Sequence, residues 1–214
     1  HARLDADFAF VAACNVGGEA MAATDVERLR QIGGQTWLRT LDDRLGLSEE
    51  ERRRLGPGQP LPAIETLLAD KPEHRQARGP DDRIAPDNRW GFRLNVPALR
   101  HNHGELTNLS VGRGTLTDED RYTINEHIVQ TIRMLDALPF PRHLRAVPEI
   151  AGGHHEKMDG TGYPRGLTGG EMSPVARMMA IADIFEALTA ADRPYKKGKT
   201  LSEAIAIMSR MRDE

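Results

Sequence analysis

The sequence lacks the marks of several protein classes. It holds a single cysteine, Cys14, among 214 residues. One thiol excludes an internal disulfide framework, excludes zinc-finger folds that need several thiolates, and fits a reducing compartment. No apolar run reaches the ~18 residues of a membrane span, so no membrane crossing is expected within this chain. There is no basic excess. Lys and Arg number 29 against 32 Asp and Glu, a net charge of −3, so nothing points to DNA as a partner. Alternating β-branched and polar residues are almost absent, which argues against a sheet-based fold. No internal repeat is visible. The chain starts at His1 without a methionine or a signal-peptide pattern, and is read as a piece of a longer protein.

What is present suits a globular chain. Hydrophobic residues make up 39% and charged residues 29%. At roughly 150 residues per domain, the length allows one domain or one and a half. The reading is all-α. Thr24 is a plausible N-cap for a helix through Arg30, ended by Gly33 and Gly34. Trp37 to Leu45 is read as helical. Ser48 caps an acidic first turn, with Arg52 to Arg54 behind it, an order that suits the helix dipole or simply a solvated face. Gly56 to Pro62 breaks the chain, and a helix is expected over Ala63 to Asp70. Lys71 to Trp90, polar and rich in proline and arginine, reads as a mobile loop or a connection between lobes.

The second half is more regular. Thr117 starts a helix expected to reach about Leu138, with Ile124, Ile128, Ile132 and Leu135 as its core stripe. Further helices are expected over Leu144 to Glu156, Pro174 to Ala191 and Leu201 to Met211. The third is apolar on nearly every side and reads as central to the fold.

The chemistry-bearing residues lie in this half. Asp183 sits in an apolar helix, where a carboxylate is costly unless paired or bound to metal. An ion pair with Arg177 or Arg193 and a metal-ligand role are both open. His154 and His155 would point about 100° apart on a helix. They can then serve two neighbouring ions, or one ion and a phosphate, or be unrelated. His127 lies near the core stripe as either a satisfied core residue or a ligand. Asp159-Gly160 favours a tight turn, and Pro164 holds Tyr163 extended near the histidine pair. That places an aromatic ring for base stacking, or simply ends a helix. Asp192 to Lys197 carries Arg193 and Lys196, able to hold phosphate or to cap a helix C-terminus. The turn from Asn15 to Glu19 is either an ordinary glycine turn or functional through Glu19. His1, His74 and His143 read as surface residues, and His101 and His103 as a weak metal pair.

Together these residues resemble the HD-GYP family of the HD superfamily of metal-dependent phosphohydrolases. The likeness lies in the runs from His154 to Leu167 and Ala176 to Thr189, in Asp192 to Tyr195, and in Leu116-Thr117 followed by His127. It covers about Leu109 to Met211. The resemblance implies an HD-type helical bundle. Residues 91–214 are expected to form the HD-GYP-like domain, with residues 1–90 as a helical extension packed on it or continuous with it as one domain. It implies bacterial cytoplasmic signalling and hydrolysis of cyclic di-GMP by a hydroxide held at a metal site, usually of iron or manganese. By resemblance, His127, His154, His155 and Asp183 match metal ligands. Gly162, Tyr163 and Pro164 form the naming motif, while Tyr163, Arg193 and Lys196 match positions near the nucleotide. The sequence departs from the family by lacking any His-Asp dipeptide; roughly Pro97-Ala98 stands where that pair belongs. Candidate replacements are His101, His103, Glu105 and Glu19, and one or two ions are expected. Three readings follow. One is a divergent phosphohydrolase acting on cyclic di-GMP or a related phosphodiester. The second is a degenerate module that senses cyclic di-GMP or binds a signalling protein through the Gly-Tyr-Pro loop. The third is a phosphohydrolase of another nucleotide or of a phosphorylated protein.

Overall fold

The computed structural model describes residues 1–55, 57–191 and 198–211. By contacts the chain divides into two units: residues 1–81 with 97–121, and residues 82–96 with 122–214. Arg193 and Lys196 lie outside the described residues.

The first unit contains helices α1 (Ala2–Val16), α2 (Ala23–Gly33), α3 (Glu49–Arg54) and α4 (Glu105–Leu109). It also contains strands β1 (Thr36–Arg39), β2 (Ala63–Thr66), β3 (Arg75–Ala77) and β4 (Leu99–Asn102). The fold is mainly helical, with two small antiparallel ladders added. β1 pairs with β2 from Thr36 opposite Thr66 to Arg39 opposite Ala63, and β3 pairs with β4. The helices expected over Trp37 to Leu45 and Ala63 to Asp70 are therefore corrected to strands followed by turns. Long-range pairing overrides the local pattern here. Arg39, 5% exposed, donates through Nε to Glu65 at 3.0 Å and lies 3.3 Å from Asp43. Lys71 Nζ reaches Glu65 at 2.8 Å. A buried charge tolerates such a place only when paired in this way. The expected loop from Lys71 to Trp90 holds a 3-10 turn at Pro72–His74, then β3, then a second turn at Pro80–Asp82. Ser48 caps α3 in a full capping box with Glu51, as its sequence suggested. α2 starts at Ala23 with Ala22 as its N-cap, so Thr24 is not the cap.

The second unit is built on α6 (His127–Asp136), α7 (Val147–Gly152), α8 (Pro174–Thr189) and α9 (Leu201–Arg210). The division between the units falls inside α5 (Asp118–Asn125). The single helix expected from Thr117 to Leu138 is thus two helices with a break at Glu126. The break rotates the stripe. Ile128 and Ile132 are buried, Ile124 is 52% exposed, and Tyr122 is buried in its stead. Ile128, Val129 and Ile132 form the core with Phe92, and Ile84, Trp90, Leu94 and Tyr163 pack on it. The segment 82–96 is therefore a strap across α6. Asn88 shapes it by accepting from Phe92 N at 2.9 Å and donating to Phe92 O at 3.0 Å. Trp90 stacks on Phe92, and Arg89 anchors to Asp136 at 2.9 Å.

Two further expectations change. α7 ends at Gly152, so His154 and His155 lie in a turn beyond it and not on a helix. α8 is not central. Ala176 and Ala180 are buried, while Val175, Met178, Met179 and Ile181 are about half exposed. α7 and α9 are its main helical neighbours, and they shield only part of its apolar circumference.

Candidate metal centre

Three histidines converge in the second unit. α6 begins with His127. Gly152 at the end of α7 lets the two helices approach closely, since a Cβ there would lie 2.8 Å from Ile132 Cδ1. The turn that follows delivers His154 and His155. One ring nitrogen from each of His127, His154 and His155 lies within 4.8 Å of the others. The rings of His154 and His155 are 4.0 Å apart between centroids. The 100° divergence expected of neighbours on a helix does not apply in a turn, and the pair faces one point.

The donor atoms are set by the backbone. His127 Nδ1 lies 2.5 Å from the Ile124 carbonyl oxygen, and His154 Nδ1 lies 2.6 Å from the Ala151 carbonyl oxygen. A carbonyl only accepts, so each Nδ1 carries a proton, and Nε2 is the ring nitrogen left for another partner. His155 Nε2 then sits 3.2 Å from His127 Nε2. Burial, the neighbouring His154 and, less strongly, His127 lower the His155 pKa to about 4 against the opposing pull of Asp183. His155 is therefore uncharged near neutral pH. Three imidazoles whose ring nitrogens converge are a donor set for a transition-metal cation, so the residues present fit such an ion.

Asp183 projects from α8 to the edge of the cluster, with Oδ2 3.7 Å from His155 Nδ1. Its side chain is 42% exposed, so a fully buried carboxylate is not what places it there. An ion pair to Arg177 does not hold it either: among the described residues, the ion-pair partner of Asp183 is His155. Arg193, the other candidate, lies outside the described residues.

The Gly-Tyr-Pro segment closes on the cluster. The Tyr163 ring stacks on His155 at 4.8 Å between centroids and 24° between planes. Burial raises the Tyr163 pKa, with Asp183 adding to the effect, so the phenol keeps its proton. Gly162 lies on the Glu156–Lys157 peptide, where a Cβ would come within 2.5 Å of Glu156 Cα. Pro164 is fully buried, and its carbonyl accepts from Arg93 N of the strap at 2.7 Å. Asp159 shapes the turn by accepting from Thr161 N at 2.9 Å.

The candidate replacements belong to the first unit. His101 and His103 stack on each other at 5.6 Å. Glu105 accepts from Ala69 N at 2.9 Å, and the Glu19 carbonyl accepts from Gly114 N. Among the described residues, the one converging group of metal-ligating side chains is His127, His154 and His155. Sequence reasoning passed over Glu156 and the strap. The available signal for Glu156 was a carboxylate leading into a turn-rich loop with several backbone N–H groups to satisfy.

The sequence model described as HD domain matches residues 62–214. A 3'3'-cGAMP-specific phosphodiesterase of Vibrio cholerae is 40% identical over 119 residues, covering 54% of this chain and 25% of that protein. A cyclic di-GMP phosphodiesterase of Pseudomonas aeruginosa is 42% identical over 96 residues, 45% of this chain and 22% of the relative. A cyclic di-GMP phosphodiesterase response regulator of Xanthomonas campestris is 36% identical over 118 residues, 54% of this chain and 31% of the relative. The aligned segments span less than a third of the length of these relatives. No helix among the described residues is long and apolar enough to cross a membrane.

Proposed function

The chain belongs to the HD domain family, in its HD-GYP branch, and from that premise we propose that it is a metal-dependent phosphohydrolase acting on cyclic di-GMP or a related cyclic dinucleotide in the bacterial cytoplasm. HD-type phosphohydrolases bind divalent metals. In this reading His127, His154 and His155 present ring nitrogens to one ion, and Asp183 completes a four-donor set. Iron or manganese suits such a mix of imidazole and carboxylate. The convergence of ring nitrogens from three histidines within 4.8 Å carries the proposal.

When bound, the ion supplies Lewis acidity toward a phosphoryl oxygen and lowers the pKa of water. The chain supplies the rest. The carbonyls of Ile124 and Ala151 fix two imidazoles in the donor tautomer. Tyr163 walls the cluster on one side with an aromatic face suited to a base, held by Gly162 and Pro164. Arg193 and Lys196 are assigned from sequence alone to the phosphate side.

The missing His-Asp pair favours a second reading, a sensor of cyclic di-GMP or a protein-binding module that works through the Gly-Tyr-Pro loop. Elemental analysis of protein purified anaerobically without chelator separates the two, when joined to a cyclic di-GMP hydrolysis assay. One ion per chain is expected, lost in the His154→Ala, Asp183→Ala double variant together with hydrolysis. Bound metal without hydrolysis leaves the sensor reading. A folded protein without metal overturns the enzyme.

A further inference from the structure

We propose that Glu156 is a positioning residue: its carboxylate clamps the loop from Lys157 to Leu167 so that the Tyr163 ring is held flat against His155. The proposal rests on the reading of His155 as a metal-facing residue.

Glu156 is 4% exposed, and a carboxylate so buried is costly unless its oxygens are satisfied. Both are. Oε1 accepts from Arg165 N at 2.7 Å, and Oε2 accepts from Leu167 N at 2.8 Å. One side chain thus ties the start of the loop to its far end. Between these ties the loop is pulled onto its own first peptide. Gly162 lies on the Glu156–Lys157 backbone with no room for a side chain. Tyr163 N donates to His155 O at 3.1 Å. The outer side is held too, because Arg165 Nε donates to Trp90 O at 2.9 Å and Pro164 O accepts from Arg93 N. The Tyr163 ring is left facing the imidazole at 4.8 Å. His127 and His154 have carbonyls on Nδ1 to orient them. The Nδ1 of His155 has Asp183 at 3.7 Å, too far for a hydrogen bond. The stacked ring takes over that orienting task, and Glu156 sets the ring.

The test uses the whole chain without metal first. The ring current of Tyr163 moves the His155 imidazole C–H signal upfield in carbon-edited NMR, and Tyr163→Leu identifies the effect by abolishing it. Glu156→Gln leaves one of the two amides without an acceptor. It is expected to lose the upfield shift while the methyl signals of Ile128 and Ile132 stay in place. Co(II) titration follows. Glu156→Gln and Tyr163→Leu are each expected to weaken Co(II) binding about tenfold, a size usual for groups that orient metal ligands. The double variant is expected to bind no more weakly than either single one, because both changes act through the same ring.

An upfield shift that persists in Glu156→Gln overturns the proposal, and so do multiplying effects on Co(II) in the double variant. If Glu156→Gln unfolds the core, amide exchange in the unchanged protein decides. Arg165 and Leu167 must then exchange more slowly than Gly162 and Gly166 of the same loop, and equal exchange overturns the clamp. An unchanged protein that binds no Co(II) but shows the shift and its loss sinks the metal reading and leaves the clamp standing.

Discussion

Gly162 shows how a single position can be required for space rather than for backbone freedom. A methyl group there would meet main-chain atoms of Glu156, which no side-chain rotation can move aside. Gly162→Ala therefore has to displace the loop, and overpacking of this kind costs about 1–3 kcal/mol. Gly170, in the same unit, has nothing within 4 Å of its would-be Cβ. Gly170→Ala is expected to leave stability unchanged in urea denaturation, while Gly162→Ala lowers it and weakens metal binding. Individual residues were the most legible part of the sequence. His127, His154, His155, Asp183 and Tyr163 fall in one neighbourhood. The role of Glu156 was not legible, because its partners are backbone amides 9 and 11 residues ahead, which any sequence would supply.

At the scale of elements, the centre depends on how closely α6 and α7 approach. Ile132 is 1% exposed and lies against Gly152, two residues before the histidine pair. Ile132→Ala opens a cavity at that contact. Such truncations cost about 2–5 kcal/mol, and a loss in that range is expected by urea denaturation. It should come with weaker Co(II) binding, because His127 stands on α6 and His154 directly follows α7, the two helices that the cavity loosens. Helix type was readable where local signals suffice, as in the capping boxes of α3 and α9. It was not readable for β1 and β2. Their four-residue runs are too short to show a period, and their pairing partner is about thirty residues away in sequence. The end of α7 was also misplaced. Gly152 and Gly153 stop the helix before the histidines, and this stop is what lets two adjacent imidazoles face one point.

At the scale of the molecule, the strap 82–96 belongs by contacts with the helices that follow residue 121, although chain of the first unit lies on both sides of it. A discontinuous division leaves no mark in composition, because it is made by Phe92 and Trp90 finding the α6 core over a long separation. On the proposed reading, the same wiring would make metal a stabiliser of the second unit. His127 stands on α6, His154 and His155 follow α7, and Asp183 stands on α8, so an ion held by all four ties three helices together. An ion that binds only the folded form adds RT ln(1 + [L]/Kd), about 2.7 kcal/mol at a hundred times Kd. Mn(II) at that excess is expected to raise the melting temperature and slow amide exchange in α6, and EDTA should reverse both. In His154→Ala, Mn(II) should leave the melting temperature where it was. A rise that survives this substitution would mean that the ion binds somewhere other than the histidine cluster.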